Sequence, residues 1–179
     1  MSDNFKLDDY KVFDMFKNSW ALVTAGNLDS YNSCTVGWGN LGTLWSRPGN
    51  DGASVTVYIH PARFTEHFLE ENSSFTVSFF PKEYKKALGY MGSHSGRNED
   101  KAKNCGLTPM KAGDSVSFEE AELTFVCRKV YAHQFAKEGI AQDIQDYYAA
   151  NPKVYPDGTE GGWQPHYVFV GEITEVIKK

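Results

Sequence analysis

The sequence predicts a mainly β fold with a few short helices, and three observations support this fold class. Aromatic residues make up 15% of the 179 residues, and aromatic side chains are enriched in strands. Short runs alternate between apolar and polar residues, as in Ser54–Ile59, where Val55, Val57 and Ile59 share one face. Turn-forming glycine, asparagine and aspartate interrupt the chain at residues 49–52. Half-buried strands of this kind are typical of an antiparallel sheet.

Six runs of this alternating type are predicted to be strands. In chain order they are Trp20–Ala25, Cys34–Trp38, Ser54–Ile59, Phe75–Phe80, Leu123–Val130 and Tyr167–Ile177. Because each run is short and is followed by a change of composition, we expect most strands to be joined by turns or short helices.

Four helices are predicted from their start and stop signals. They are Glu66–Asn72 with Thr65 as the N-cap, Lys82–Met91 after Pro81, Glu99–Cys105 between Asn98 and Gly106, and Ile140–Ala150 before Asn151 and Pro152. The third would place Ser95, Gly96 and Arg97 just before a helix N-terminus, where free N–H groups attract an anion. Residues 153–165 contain two prolines and three glycines and are predicted to be a loop.

Length and composition indicate one cytoplasmic domain, with residues 1–18 as an N-terminal extension. The net charge of −5 and the pI near 5.5 argue against a nucleic-acid partner. The three cysteines form no C-x-x-C pair, so we expect neither a disulfide framework nor a metal site, and a reducing compartment fits. The N-terminus has no apolar core of a signal peptide, and no segment reaches about 18 apolar residues, so neither secretion nor membrane insertion is expected.

Three separate segments carry residues suited to a flat, phosphorylated ligand. Small residues leave room beside a planar ring and keep backbone groups available to it, and guanidinium groups suit phosphate oxygens. Each segment taken alone is also compatible with an ordinary turn or a solvated surface group. The agreement of all three favours one anionic ligand. The candidate residues are Cys34, Thr35, Gly37, Trp38, Gly39 and Asn40, then Arg63 and Thr65, then Ser95, Gly96, Arg97 and Lys101.

Taken in this order, the segments resemble the flavin reductase-like family, whose members bind FMN in a split β-barrel. The likeness runs from about Ser19 to about Lys178 and includes His166–Ile173. It is greatest to the flavoredoxin-like branch, because of the Arg63-Phe-Thr65 step and the Ser95-Gly-Arg97 segment. The resemblance implies an antiparallel split barrel of the Greek-key type, FMN as the cofactor and a homodimer.

The resemblance also assigns roles to the candidate residues. Thr35 and Gly37 to Asn40 match the segment that holds the isoalloxazine ring and the ribityl chain, with Cys34 alongside. Arg63, Thr65, Ser95, Gly96, Arg97 and Lys101 match the phosphate contacts. No catalytic side chain is expected, because hydride transfer is the cofactor's own chemistry and the protein mainly positions the rings.

Two residues are predicted to contact the substrate. His166 precedes Gly171 by the interval at which many flavin reductases have an Asp-His pair near the nicotinamide, but Pro165 stands in place of the Asp. Trp163 lies in the predicted loop, which could cover the site as a lid, serve as ordinary surface covering or form a subunit contact.

Three functions therefore remain open at this stage. The first is an FMN-dependent oxidoreductase that moves a hydride from NAD(P)H to flavin and on to a small-molecule or flavin acceptor. The second is a flavoredoxin-like FMN carrier that exchanges electrons with protein partners, which the missing Asp favours. The third is a non-redox β-barrel that binds another anionic ligand. The homodimer is expected from the family resemblance and not from any one of these functions.

Overall fold

The computed structural model describes residues 11–152 and 162–179. In these residues it contains nine strands, four α-helices, a π-helix (Asp14–Ser19) and two 3-10 helices (Lys82–Tyr84 and Lys137–Gly139). The strands are β1 (Ala21–Asn27), β2 (Ser30–Val36), β3 (Gly39–Thr43), β4 (Ala53–Ile59), β5 (Ser74–Phe79), β6 (Pro109–Ala112), β7 (Ser115–Phe118), β8 (Leu123–Gln134) and β9 (Tyr167–Lys178). The helices are α1 (Phe64–Glu71), α2 (Lys85–Ser93), α3 (Lys101–Asn104) and α4 (Gln142–Ala150). The mainly β fold class with short helices is confirmed.

Seven of the strands form one antiparallel sheet in the order β2-β1-β5-β8-β9-β4-β3, and β6 pairs with β7 as a separate hairpin. Among the residues that the structure describes, β2 and β3 end this order, so hydrogen bonds do not close the sheet. The neighbours β1 and β5, and likewise β4 and β9, are distant along the chain. Within the same residues, no helix is long and apolar enough to cross a membrane.

The alternation in the sequence of β4 arises because one face of this strand is buried, as expected. Val55, Val57 and Ile59 are at most 1% exposed, and Val57 pairs with Phe169 of the neighbouring strand β9. The main core lies on this face and includes Phe16, which is 2% exposed although it belongs to the predicted N-terminal extension.

Some predicted strand boundaries are wrong, and three strands were not predicted. The predicted strand Cys34–Trp38 is instead β2, which begins at Ser30, because Asn27 accepts hydrogen bonds from the N–H groups of Asp29 and Ser30 and closes the turn that pairs β2 with β1. Trp20 has a positive φ of 67°, so β1 begins only at Ala21. The strands β3, β6 and β7 are short and lack a clear alternating pattern.

Three predicted helix starts are also wrong. Helix α4 begins at Gln142 and not at Ile140. Helix α1 begins at Phe64 with Arg63 in the N-cap position, so Thr65 lies inside the helix and is fully buried. The predicted helix Glu99–Cys105 is only Lys101–Asn104, because the Asp100 side chain accepts a hydrogen bond from the Lys103 N–H and caps it there. An anion site built on a helix beginning at Glu99 is therefore not supported. Of the predicted loop 153–165, residues 153–161 lie outside the described residues.

Candidate functional site

Two adjoining cavities contain most of the predicted site residues. We call them the Trp38 cleft, with a volume of about 230 Å³, and the Arg97 cleft, with a volume of about 400 Å³. Both are bordered by Cys34 and Arg63, so they meet at these two residues. The Trp38 cleft is lined by Cys34, Thr35, Val36, Gly37, Trp38, Tyr58, Ile59, His60, Arg63 and His166. The Arg97 cleft is lined by Asn32, Cys34, Ala62, Arg63, Phe64, Thr65, Met91, Gly92, Ser93, His94, Ser95, Gly96, Arg97 and Lys101.

The two arginines of the Arg97 cleft are held by contacts with backbone and ring. Arg63 follows β4, and its guanidinium donates a 2.7 Å hydrogen bond to the carbonyl oxygen of Gly92 at the end of α2. The Arg97 guanidinium lies 4.6 Å over the ring of Phe64 in α1. This packing orients each guanidinium group. A guanidinium has five N–H donors, so the hydrogen bond from Arg63 to Gly92 uses only part of its capacity.

Lys101 is the buried cation of the same cleft, with only 5% of its surface exposed. Its Nζ donates to the carbonyl oxygens of Ser33 at 2.6 Å and Met91 at 3.0 Å. Burial lowers the pKa of this ammonium, the nearby Arg63 lowers it further, and Cys34 works in the opposite direction. Among the described residues that line the Arg97 cleft there is no aspartate or glutamate. Three cations facing one space without a carboxylate favour an anionic ligand.

A buried polar contact shapes the floor of the Arg97 cleft. Asn32 in β2 donates a hydrogen bond of 2.8 Å to the hydroxyl of Thr65 in α1, and both residues are buried. Gly96 packs directly against this amide, since a Cβ at that position would lie 2.1 Å from Asn32 Oδ1. Only glycine can bring this loop so close, which gives Gly96 a steric role in the cleft.

Aromatic and imidazole rings form one wall of the Trp38 cleft. The ring of His166 lies 4.8 Å from Trp38 and 5.2 Å, edge-on, from His60. Burial lowers the pKa of His166 to about 3, with His60 and Arg63 acting in the same direction. Burial and Arg63 also lower the pKa of His60 to about 4, against a hydrogen bond with the Gln164 backbone. Both imidazoles are therefore neutral at pH 7.

Cys34 and Thr35 mark the end of β2 at the junction of the two clefts. Cys34 is 3% exposed, and burial raises the pKa of its thiol above the usual value, although Thr65, Lys101 and Arg63 oppose this. The thiol is therefore protonated at neutral pH and behaves as a small space-filling group. The Thr35 hydroxyl donates a 2.6 Å hydrogen bond to the Leu88 carbonyl, which fixes its side chain against α2.

Three predicted residues lie outside both clefts. Gly39 is in β3, where a Cβ would lie 2.3 Å from Phe16, so its small size serves core packing. The Asn40 amide donates to the hydroxyl of Tyr58 at 2.7 Å. Trp163 borders a third cavity that shares Trp38, Tyr58 and His166 with the Trp38 cleft.

Sequence reasoning missed several residues that line the clefts. Asn32, Tyr58, His60, Met91 and Gly92 belong to them, but none carries a local sequence signal, because only the folded sheet and α2 bring them together. His60 was not among the predicted site residues. Its position at the end of β4, one residue beyond a strong strand pattern, is the one available hint.

The donor set suits a flavin mononucleotide. The Arg97 cleft offers positive charge for a phosphate, and the Trp38 cleft offers small residues, a ring wall and neutral imidazoles beside a planar group. Because the clefts meet at Arg63, one ligand with an anionic tail and a flat head can reach both.

Solved structures with the same fold include FMN-binding proteins and flavoredoxins. The FMN-binding protein from Thermus thermophilus with bound 1-cyclohex-2-enone superposes with a TM-score of 0.65 at 22% identity, covering 89% of this chain and 70% of that one. The flavoredoxin from Methanosarcina acetivorans gives 0.65 at 20% identity, with 90% and 68% covered. The flavoredoxin of Desulfovibrio vulgaris (Miyazaki F) gives 0.62 at 24% identity, with 89% and 69% covered. The predicted split-barrel fold is confirmed by this likeness.

No curated protein sequence matches the chain significantly. The model of one domain family, described as the flavin reductase like domain, matches residues 14–179, which is nearly the whole chain. This protein therefore belongs to the flavin reductase like domain family, which confirms the resemblance seen in its sequence and the flavin cofactor that the resemblance implied.

Proposed function

We propose that this protein is an FMN-dependent oxidoreductase that accepts a hydride from NAD(P)H and passes electrons to a small-molecule or flavin acceptor. The observation that carries the proposal is the junction of the two clefts at Arg63. There, a space with three cations and no described carboxylate meets a space bordered by small residues and neutral rings. One phosphorylated flavin accounts for both halves of this arrangement.

The phosphate belongs in the Arg97 cleft. Arg63, Arg97 and Lys101 provide the charge, while Ser95 and Thr65 add hydroxyl groups. Lys101 is already held by two carbonyl oxygens, so it loses little further side-chain freedom when an anion arrives. The flavin supplies hydride acceptance and donation when bound.

The ring belongs in the Trp38 cleft. Thr35 and Gly37 leave space beside it, and Trp38 and His166 form the wall that a second planar molecule would contact. The neutral imidazoles can accept or donate hydrogen bonds without placing a positive charge beside the ring. The two imidazoles position the ring and exclude water from it. These roles suit a reaction that needs no acid or base from the protein.

An anaerobic reduction experiment tests this proposal. Purified protein is titrated with FMN, and NADH or NADPH is then added without oxygen while the flavin absorbance is followed. Rapid bleaching of bound FMN is the expected result, and the faster donor identifies the nicotinamide. A protein that binds no FMN, or binds another anion in its place, would support the non-redox function instead.

The second candidate is a flavoredoxin-like electron carrier that serves protein partners. Pro165, which is buried, precedes His166 where the related reductases have a carboxylate, so no acidic side chain orients this imidazole from that position. The similarity to two flavoredoxins also favours a carrier. Tight FMN binding without bleaching by either nicotinamide, together with reduction by a protein donor, would decide for it.

We further propose that the chain acts as one domain, in the cytoplasm, as a homodimer. The dimer would help to cover the Trp38 and Arg97 clefts, which are open to solvent in one subunit. Light scattering after size-exclusion chromatography tests the assembly: a mass near twice 20.1 kDa is expected.

A further inference from the structure

A third cavity lies between helix α4 and the Trp38 cleft, and we call it the α4 groove. Its volume is about 760 Å³, within the range of about 300–1,000 Å³ typical of small-molecule sites. It shares Trp38, Tyr58 and His166 with the Trp38 cleft. A molecule in the groove would therefore touch the same wall that borders the space assigned to the flavin ring.

Two stacked aromatic pairs form the walls of the α4 groove. Tyr148 and Trp163 are nearly parallel, with centroids 5.0 Å apart and an 11° interplanar angle. Tyr58 and Phe135 stack at 5.7 Å and 25°. The side chain of Ile144 is 45% exposed beside them. Flat, apolar walls of this kind suit a planar hydrophobic molecule.

The charge of the groove restricts the occupant further. Among the described residues that line it, Asp143 is the acidic one and there is no lysine or arginine. His166 stays neutral near pH 7, since burial lowers its pKa to about 3. The neighbouring Lys137 contacts Trp163, with its Nζ 3.4 Å from the carbonyl oxygen and 5.9 Å from the ring centroid. The described lining thus contributes no lysine or arginine of its own to neutralise the phosphates of a dinucleotide or an aromatic carboxylate.

We propose that the α4 groove binds a neutral aromatic small molecule, the class from which the electron acceptor of the proposed function would be drawn. The identification of this molecule as the electron acceptor rests on the proposed function. Its binding to the groove is inferred only from the shape, the aromatic walls and the charge of the groove. A concave space of this volume fits a small molecule better than the flat contact between two subunits.

Two probes with the same ring system test the charge selectivity. FMN binding is first measured by quenching of flavin fluorescence, and the loaded protein is then titrated calorimetrically with 2-acetylnaphthalene and with 2-naphthoate. The neutral ketone is expected to bind at least tenfold more tightly than the carboxylate. Equal affinities, or no binding of the ketone to FMN-loaded protein, would overturn the inference.

A charge reversal within the groove gives a sharper test. Asp143→Lys is expected to strengthen 2-naphthoate binding by about fivefold, a modest change because the site is exposed, and to change 2-acetylnaphthalene binding less than twofold. Asp146→Lys is the matched control, because Asp146 is also on α4 but does not line the groove. The same gain in both variants would show a general charge effect and contradict the proposed site.

Two substitutions of an apolar residue by glutamate test where the ligand binds. Ile144→Glu should weaken the ketone at least tenfold, whereas Ala149→Glu, on the same helix and outside the lining, should leave it unchanged. If Ile144→Glu instead splits a dimer and neither probe binds the original protein, the groove is a subunit contact and the inference is wrong.

If FMN fails to bind, the proposed function fails, while titration of the flavin-free protein with both probes still tests the groove.

Discussion

The side-chain amide of Asn32 donates a 2.8 Å hydrogen bond to the hydroxyl of Thr65, joining strand β2 to helix α1 across 33 positions of sequence. Both side chains are buried, at 6% and 0% exposure. A buried polar pair of this kind is expensive to break, because each group would be left without a partner. The contact therefore fixes the distance between the two elements that carry Cys34 and Arg63.

Gly96→Ala is expected to destabilise the protein through this contact. The added methyl would lie 2.1 Å from Asn32 Oδ1 and would push the amide away from Thr65. We expect the free energy of unfolding to fall by about 1–3 kcal/mol and FMN affinity to fall with it. Urea denaturation and a flavin titration measure the two effects.

Gly89→Ala is the matched control for that variant. Gly89 lies inside α2, and a Cβ there meets nothing within 4 Å. Since alanine favours helix more than glycine, we expect a gain of about 0.5–1 kcal/mol in unfolding free energy. Equal losses in both variants would contradict the steric role of Gly96.

Arg63→Ala should distinguish the phosphate from the ring. Charge-assisted hydrogen bonds contribute about 1.5–3 kcal/mol, so FMN should bind about 10- to 100-fold more weakly, whereas riboflavin, which lacks the phosphate, should change little. Fluorescence titrations with both ligands provide the comparison. Arg47→Ala serves as the control, because Arg47 pairs with Glu172 at 2.6 Å and lines neither cleft. Similar losses for both ligands would remove Arg63 from the phosphate site.

Glu66 should make the protein less stable as the pH rises. Burial, together with Glu70, raises the pKa of this carboxyl from 4.5 to about 7. The folded state therefore holds the proton more tightly than the unfolded state, and the stability from this group is complete below about pH 4.5 and is lost as the pH passes 7. Glu66→Gln should raise the melting temperature at pH 8 and flatten its slope from pH 4.5 to 7.

Glu71→Gln is the control for this pH effect, because Glu71 is exposed on the same helix. It should leave the pH profile of the melting temperature unchanged. A Glu66→Gln protein that is less stable than the original at pH 8 would show that the carboxylate form is the one that the fold requires.

His60 and His166 should remain neutral in mildly acidic solution. Their pKa values are lowered to about 4 and about 3, mainly by burial. Their contribution to stability is present above about pH 6.5 and is lost as the pH falls toward 4 and 3. Histidine-selective NMR should show no titration of either ring between pH 8 and pH 5.5. A midpoint near 6.5 for either ring would mean that the wall of the Trp38 cleft is open to water.

The sequence was most informative where burial alternates along a strand. The alternation of Val55, Val57 and Ile59 predicted β4, because these side chains are buried on the packed face of the sheet. Strand β3 was not predicted, because Gly39 and Gly42 give the segment little strand propensity. Its register depends on pairing with β4. The third helix was predicted too long because the capping carboxylate of Asp100 lay inside the predicted helix.

The same contrast applies to the candidate site. Arg63, Arg97 and Lys101 were predicted because their charges stand out in three short segments that resemble a known family, and the structure brings all three to one cleft. His60 and Asn32 could not be found in this way, since their roles come from neighbours that are distant in sequence. Gly39 was chosen with its segment, but its neighbour in space is Phe16.

Lys101 and Arg63 bring two positive charges near each other before any ligand arrives, as the effect of Arg63 on the Lys101 pKa shows. An anion between them relieves this repulsion in the folded protein only, because the unfolded chain has no such cluster. Occupancy and folding are therefore linked by mass action. In a cell short of flavin, the first consequence would be a smaller pool of intact protein, because more of the chain would be unfolded and exposed to proteolysis.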